Sequence, residues 1–248
     1  NFVLRDHEYS FDLNDIYDLG YSYKFNPGEF NIMMGDVKLG KTAWVQNIVT
    51  QVKHLKTLFL SLEVSDHLIY RRFVQIANNV DKHTVVSAWA DNQDIREEYI
   101  NSVKHISIMT KCDLDALKDE ILKSEAKFIV IDTIDGLEVK GYNDPFKKQE
   151  KVAIGLKQLA QDLNVIILGV NHISKSAANN LEITHTLNVH SAKGNSALEQ
   201  KADKVIGIEG KMDAVERRVR SLASRDENGF TMAFKFNKDT MVFSQEKL

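Results

Sequence analysis

Cysteine is almost absent. Cys112 is the only one among 248 residues, so no disulfide can close within the chain, and the composition fits a reducing compartment. Proline occurs twice, and no Ser/Gly-rich stretch reads as a flexible linker. Residues 1–248 are therefore expected to form a single domain, long for one unit but within range for a large α/β fold. No internal repeat is visible. There is no run of 18 apolar residues and no signal-peptide pattern, so no segment reads as a transmembrane helix or a secretion leader. A basic excess is missing too: 32 Lys+Arg stand against 35 Asp+Glu, for a net charge of -3. The whole-chain charge thus gives no support to nucleic-acid binding, although a local basic patch is compatible with an acidic protein. The chain opens on Asn1 rather than a methionine, which sets the expectation of a piece of a longer protein.

What is there is apolar sequence in short blocks, 43% overall. Phe30–Met34 is an apolar run ending at Gly35, followed by a helical pattern over Lys41–Val52. Thr57–Leu62 reads as a strand, Asp66–Asn78 as a helix, Ile106–Met109 as a strand and Leu114–Lys123 as a helix. Phe128–Ile131 is a fully apolar strand followed by Asp132. Lys147–Leu163 is a long helix with Val152, Leu156, Leu159, Ala160 and Leu163 on one face. Val165–Val170 is another buried strand. Strands that are apolar throughout and alternate with helices indicate a parallel sheet covered on both faces. After Lys204 the rhythm changes to strands joined by short turns, over Val205–Ile208, Val219–Ala223, Thr231–Phe236 and Thr240–Phe243. This predicts an antiparallel meander attached to the parallel core.

The strongest chemical signal is Gly35-Asp36-Val37-Lys38-Leu39-Gly40-Lys41-Thr42, which matches G-x4-G-K-[ST] between a strand and a helix. The glycines let the backbone wrap phosphates, and the first helical amides point at the anion. Lys41 would reach the terminal phosphates, and the Thr42 hydroxyl would ligate Mg2+. Asp132, at the end of a parallel strand, is placed to hold Mg2+, with Asp135 as runner-up. Glu63, after the strand over 57–62, could activate water; from position alone a solvated strand-end glutamate is an equal reading. Asn171-His172 could report the γ-phosphate or serve structure only. Arg217, Arg218, Arg220 and Arg225 could supply a cation to the transferred phosphoryl group, from this chain or a neighbour; the plain alternative is a solvated arginine-rich strand. The polar segment 174–195 carries Lys175, Lys193 and Gly194 with a single acid, Glu182. It could contact a phosphate backbone or be a simple surface loop.

Taken together these residues resemble the C-terminal motor of DnaB-type replicative helicases, including phage primase-helicases and the mitochondrial Twinkle helicase. The resemblance runs from about Phe11 to Phe243. Ser61-Leu62-Glu63 is similar to the family's "SLE", which implies that Glu63 is the catalytic base. Ile131–Leu137 is similar to the Mg2+-binding strand end, and Lys157–Asn164 to the helix leading into the sensor strand. His172 stands where the family carries the γ-phosphate-sensing Gln or His. Lys193–Asp203 is similar to the motif whose start is a DNA-binding loop, which implies DNA contacts at Lys193 and Gly194. Arg225 matches the arginine finger, whereas Ala223 stands at the family's lysine position. Phe236 matches the aromatic residue that packs on the nucleotide base, a buried strand phenylalanine being the alternative.

The resemblance implies a RecA-like P-loop fold, a mostly parallel sheet with a C-terminal antiparallel meander. It implies an ATP-dependent and Mg2+-dependent helicase, ring-shaped as a homo-hexamer, acting on single-stranded DNA and working with a primase domain or protein. It places the protein in the cytoplasm of a bacterial or phage-infected cell, or in the mitochondrial matrix. Residues 1–26 are expected to be a lead-in to the core, with the family's linker helix and upstream domain lying outside this sequence. A RecA-type recombinase filament and a nucleotide-dependent switch or assembly ATPase without translocation are the competing functional classes.

Overall fold

The computed structural model describes residues 9–142, 144–174, 186–188 and 197–246. In chain order the elements are β1 (Phe11–Asp12), β2 (Lys24–Phe25), β3 (Phe30–Gly35), α1 (Lys41–Gln51), β4 (Thr57–Ser61), α2 (Asp66–Asn78), α3 (Lys82–Asp91), α4 (Gln93–Ser102), β5 (Ile106–Met109) and α5 (Leu114–Ser124). They continue with β6 (Phe128–Asp132), α6 (Pro145–Leu163), β7 (Ile166–His172), α7 (Ala197–Lys201), β8 (Lys204–Glu209), β9 (Glu216–Ser224), β10 (Thr231–Asn237) and β11 (Val242–Glu246). Nine strands form one sheet in the order β11-β10-β9-β8-β3-β7-β6-β4-β5. From β8 through β5 every neighbouring pair is parallel; β8, β9, β10 and β11 pair antiparallel. β1 and β2 make a separate antiparallel pair.

The unbroken apolar runs have a simple cause. Successive strand side chains point to opposite faces, and both faces are covered. Met33, Phe59, Val130 and Leu168 pack on one side with Trp44 and Ile48 of α1 and Phe73 of α2. Ile32, Leu60, Ile131 and Ile167 pack on the other side with Leu117 of α5 and Leu156 and Ala160 of α6. Each such side chain stabilises the fold by about 1.5–3 kcal/mol relative to exposure. No polar face is needed, so no alternation appears.

Three departures from the sequence reading have local causes. The helix expected from Lys147 starts at Pro145, because the Asp144 carboxylate accepts from the amides of Phe146 and Lys147, and proline suits a first turn whose N–H has no partner. The last strand begins at Val242 rather than Thr240, because residues 238–241 form the hairpin turn, with Met241 at φ 62. Between Asn78 and Ile106 the chain folds into α3 and α4, where the sequence reading gave no element. α4 buries only Tyr99, so it lacks an apolar period; the Asp81 and Asn92 side chains cap the two helices instead.

Candidate nucleotide site

The parallel strands deliver their C-terminal ends to one edge of the sheet, and the site is assembled there. β3 ends at Gly35, which leaves no space for a side chain: a Cβ there would lie 2.5 Å from Ile208 Cγ2 and 2.8 Å from the Ile208 carbonyl oxygen. The loop then runs to Gly40, at φ +95, a left-handed conformation that glycine adopts without strain. A Cβ at Gly40 would also press on the rings of Phe243 and Phe236, at 3.1 and 3.3 Å. Asp36 accepts from the Val37 amide, while Val37 and Lys38 stand on the exposed crest and Leu39 is buried beneath it. The turn opens directly into α1, whose first residues, Lys41, Thr42 and Ala43, line the cavity.

That cavity, of about 290 Å3, is lined by Lys38, Gly40, Lys41, Thr42, Glu63, Arg72, Asp132, Thr133, His172, Phe236 and Met241 among others. Cavities of about 640 and 810 Å3 lie elsewhere; neither gathers this combination of charges. The Lys41 ammonium is buried and donates to the carbonyls of Gly35 and Asp36, at 3.0 and 2.7 Å. Burial draws its pKa down to about 8, against the opposing pull of Asp132, Asp36 and Glu63. The Thr42 hydroxyl donates to Asp132 Oδ2 at 2.8 Å. Asp132 is 3% exposed, and burial pushes its pKa up to about 6, opposed by the Thr42 hydrogen bond. Its other oxygen, Oδ1, is buried without a hydrogen-bond partner among the described residues.

This donor set fits Mg2+. A hard cation takes oxygen ligands and commonly uses one or two protein oxygens together with substrate phosphates. A hydroxyl beside a carboxylate with an orphaned oxygen offers that. Among the described residues no cluster of three or more His, Cys, Asp or Glu provides an all-protein metal cage. Asp135, the runner-up, lies outside the phosphate cavity: its carboxylate accepts from Gln149 Nε2 at 2.9 Å, and it lines a separate cavity with Pro145 and Phe146.

Glu63 sits two residues past the end of β4. Its Oε1 accepts from the Thr133 hydroxyl at 2.7 Å and lies 3.7 Å from His172 Nε2. The peptide between Asp132 and Thr133 is cis. Acid, hydroxyl and imidazole from the ends of three different strands thus meet over the cavity. Phe236 contributes a wall; it is 5% exposed and stacked on Phe243 at 4.5 Å. Arg72 and Thr133 are members of this site that the sequence reading did not single out. Thr133 directly follows Asp132, and Arg72 flanks the apolar stripe of α2, so a signal existed in both cases.

The arginine group separates into distinct roles. Arg217 is 2% exposed and donates through Nε to the Leu39 carbonyl, and through Nη1 to the carbonyls of Lys211, Ala214 and Glu216. It ties the glycine-rich loop to the turn before β9. Arg218 and Arg220 both pair with the buried carboxylate of Glu209, at 2.6 and 2.9 Å. Arg220 Nη2 also donates to the Leu187 carbonyl, and the Leu187 amide donates to Glu209 Oε1. These three are structural ties, which corrects the solvated-strand alternative. Arg225 is different. Its amide donates to the Asp203 carbonyl, its Nη2 donates to the Gln200 carbonyl at 2.9 Å, and its side chain is 54% exposed. Asp203 in turn accepts from the Phe30 amide and from Lys157 Nζ. Arg225 therefore stands beside the first residue of β3, while the phosphate loop leaves from the last. Five strand steps of about 3.3 Å separate them, roughly 17 Å. Lys175, Lys193 and Gly194 lie outside the described residues.

A family model for the DnaB-like helicase C-terminal domain matches residues 17–244. The chain belongs to that family. The ATPase domain of G40P is similar over 90% of this chain and 86% of its own, with TM-score 0.77 and 17% identity. A DnaB-like replicative helicase, solved in a study of its interactions with primase, is similar over 88% of this chain and 57% of its own, with TM-score 0.75 and 17% identity. The DNA repair protein RadA of Streptococcus pneumoniae is 22% identical over 203 residues, 80% of this chain. The DnaB-family chain spans about 40% of the length of that curated relative. Among the described residues no helix is long and apolar enough to cross a membrane.

Proposed function

We propose that this DnaB-like domain is the ATP-driven motor of a ring-shaped replicative helicase, which moves along single-stranded DNA and separates duplex. The observation that carries this reading is the split of the machinery across the sheet. Lys41, Thr42, Glu63, Asp132 and His172 gather at one edge, whereas Arg225 lies roughly 17 Å away along the strands. Arg225 cannot serve its own pocket; a neighbouring copy would receive it, and repetition of that contact builds a homo-hexamer. Mg2+ held by Thr42 and Asp132 would offset charge on the phosphates. Lys41 exchanges its backbone carbonyls for phosphate oxygens, Glu63 takes a proton from the attacking water with Thr133 fixing its carboxylate, and Phe236 offers an apolar wall for the base. His172, 3.7 Å from Glu63, is the last residue of β7 and would pass the state of the γ-phosphate toward the segment that follows in sequence, which carries Lys175, Lys193 and Gly194. A motor that accepts every sequence needs contacts on the uniform backbone. Primase as a partner and a cytoplasmic or mitochondrial-matrix setting belong to the same reading.

The test is the ATPase rate of the natural chain with and without single-stranded DNA, paired with electron microscopy. Stimulation together with closed rings is expected. Open filaments would favour the recombinase class, and hydrolysis indifferent to DNA would favour a switch or assembly ATPase. Lys193→Ala should weaken single-stranded DNA binding equally for different sequences and flatten its salt dependence; unchanged affinity and slope would remove that loop as the DNA contact.

A further inference from the structure

Helix α1 is buried on nearly every side, with Trp44, Val45, Ile48 and Val49 in the core. Asn47 is buried among them. An amide in such surroundings is costly unless its polar atoms find partners, and an apolar side chain would suit the same place. The partners lie on the β10–β11 hairpin. Asn47 Nδ2 donates to the Met241 carbonyl at 2.9 Å, and Asn47 Oδ1 accepts from the Phe243 amide at 3.1 Å. Nδ2 also donates to the Ala43 carbonyl, one turn back in the helix, at 2.7 Å. Gln75 of α2, buried as well, donates to the Asp239 carbonyl at 2.7 Å. Two amide side chains from different helices thus hold residues 239, 241 and 243 of the hairpin.

The hairpin depends on this hold. β11 ends the sheet and pairs with β10 alone among the described strands. The ladder stops at Asn237 and Val242, so residues 238–241 project beyond it. Met241 stands at φ 62, a left-handed conformation that a residue with a Cβ keeps only where its surroundings enforce it. Asn47 enforces it from both ends, through the carbonyl of Met241 and the amide two residues on. The projecting end borders the nucleotide site. Met241 and Phe236 line the phosphate cavity, and Phe243 backs Phe236 ring on ring. Gly40 lies against both rings. Asn47 does not itself line the cavity, so any effect it has there passes through the hairpin.

We propose that Asn47 is a positioning residue for the base of the bound nucleotide. It ties the hairpin to the helix that carries Lys41 and Thr42, and so sets the gap between the phosphate subsite and the wall made by Phe236 and Met241. The proposal rests on the nucleotide-binding reading above. Calorimetry in Mg2+ with ATP and with inorganic tripolyphosphate, in a Glu63→Gln background that slows hydrolysis, tests it, because tripolyphosphate offers the phosphates without a base. Asn47→Ala should lose about tenfold in ATP affinity, within the worth of stacking one base on an aromatic side chain, with tripolyphosphate affinity nearly unchanged. Phe236→Ala should show the same selective loss. Since both act on one wall, the double variant should lose clearly less than the product of the two single losses. Should Asn47→Ala fail to fold, Gln75→Ala loosens the same turn at Asp239 and supplies the comparison. Equal losses for both probes, no loss for ATP, or a double variant that loses the full product would overturn the proposal. A parent chain that binds neither probe would bring down the nucleotide reading itself. A parent that binds both, with a selective loss in Phe236→Ala and none in Asn47→Ala, would sink the Asn47 assignment alone.

Discussion

At the scale of single residues, the phosphate cavity is held in an electrostatic compromise. Lys41 and Asp132 are both buried, and each has a pKa moved toward its neutral form. Replacing Lys41 by alanine should abolish tight ATP binding, because the phosphates lose their central side-chain cation; Glu63→Gln should bind ATP and fail to hydrolyse it. Rapid hydrolysis by Glu63→Gln would remove Glu63 as the base. Asp132 makes a pH prediction. Its folded-state pKa, about 6, lies above the ordinary 3.8, so the folded protein binds the extra proton. Without metal, this group's contribution should destabilise the fold progressively as pH rises from about 4 to about 6, and the cost should persist above that. Asp132→Asn should therefore raise metal-free stability at neutral pH, by up to about 3 kcal/mol from the size of the shift, while impairing Mg2+-dependent nucleotide binding. Thermal melts of parent and variant at pH 4 and pH 7 give the difference directly; a gap that does not widen with pH would refute the assignment.

At the scale of elements, the informative junction is the end of α7 against the end of β9. Gln200 and Asp203 hold Arg225 by backbone and side chain, and Lys157 of α6 steadies Asp203 at 2.6 Å. The helix that follows the proposed DNA segment is thus tied to the arginine proposed to reach a neighbour. Asp203→Asn keeps the shape but loses the charge that faces Lys157 and Arg225. It should cost about 1–3 kcal/mol of stability, the loss of a charged hydrogen bond, and should lower kcat in the assembled protein while leaving ATP affinity intact. Unchanged kcat with a lowered melting temperature would reduce Asp203 to a structural role.

For the whole molecule, the distance between Arg225 and its own P-loop means that the proposed role of Arg225 would make catalysis a property of pairs of chains. Activity per chain should rise with concentration. A mixture sharpens the test: Arg225→Ala chains and Lys41→Ala chains should each be nearly inactive, yet mixing them creates interfaces with an intact Lys41 on one side and an intact Arg225 on the other. Partial recovery of hydrolysis is expected. Co-assembly without recovery would show that Arg225 does not act across the boundary.

Much of this was legible along the chain, because it depends on local spacing. The loop Gly35–Thr42 is contiguous, so its chemistry follows from order alone, and Asp132 is marked by the apolar strand it terminates. The parallel core was legible because strands buried on both faces need no polar alternation, and the meander because its turns are short. The tertiary structure decided what distant residues do to each other. Thr133 meets Glu63 only because β4 and β6 are neighbours in the sheet. Arg217 reaches Leu39 across 178 positions, so a residue resembling part of a solvated strand is buried instead. Arg72 lines the Lys41 cavity and Arg71 a separate one through a rotation of one helical step, which a charge pair in sequence does not reveal. α3 and α4 were hidden because capping side chains, rather than an apolar stripe, mark their ends. Sequence order by itself determined the P-loop chemistry and the layered fold; which cation serves which pocket was decided by packing, since it depends on the separation of sheet ends and not on the spacing of residues.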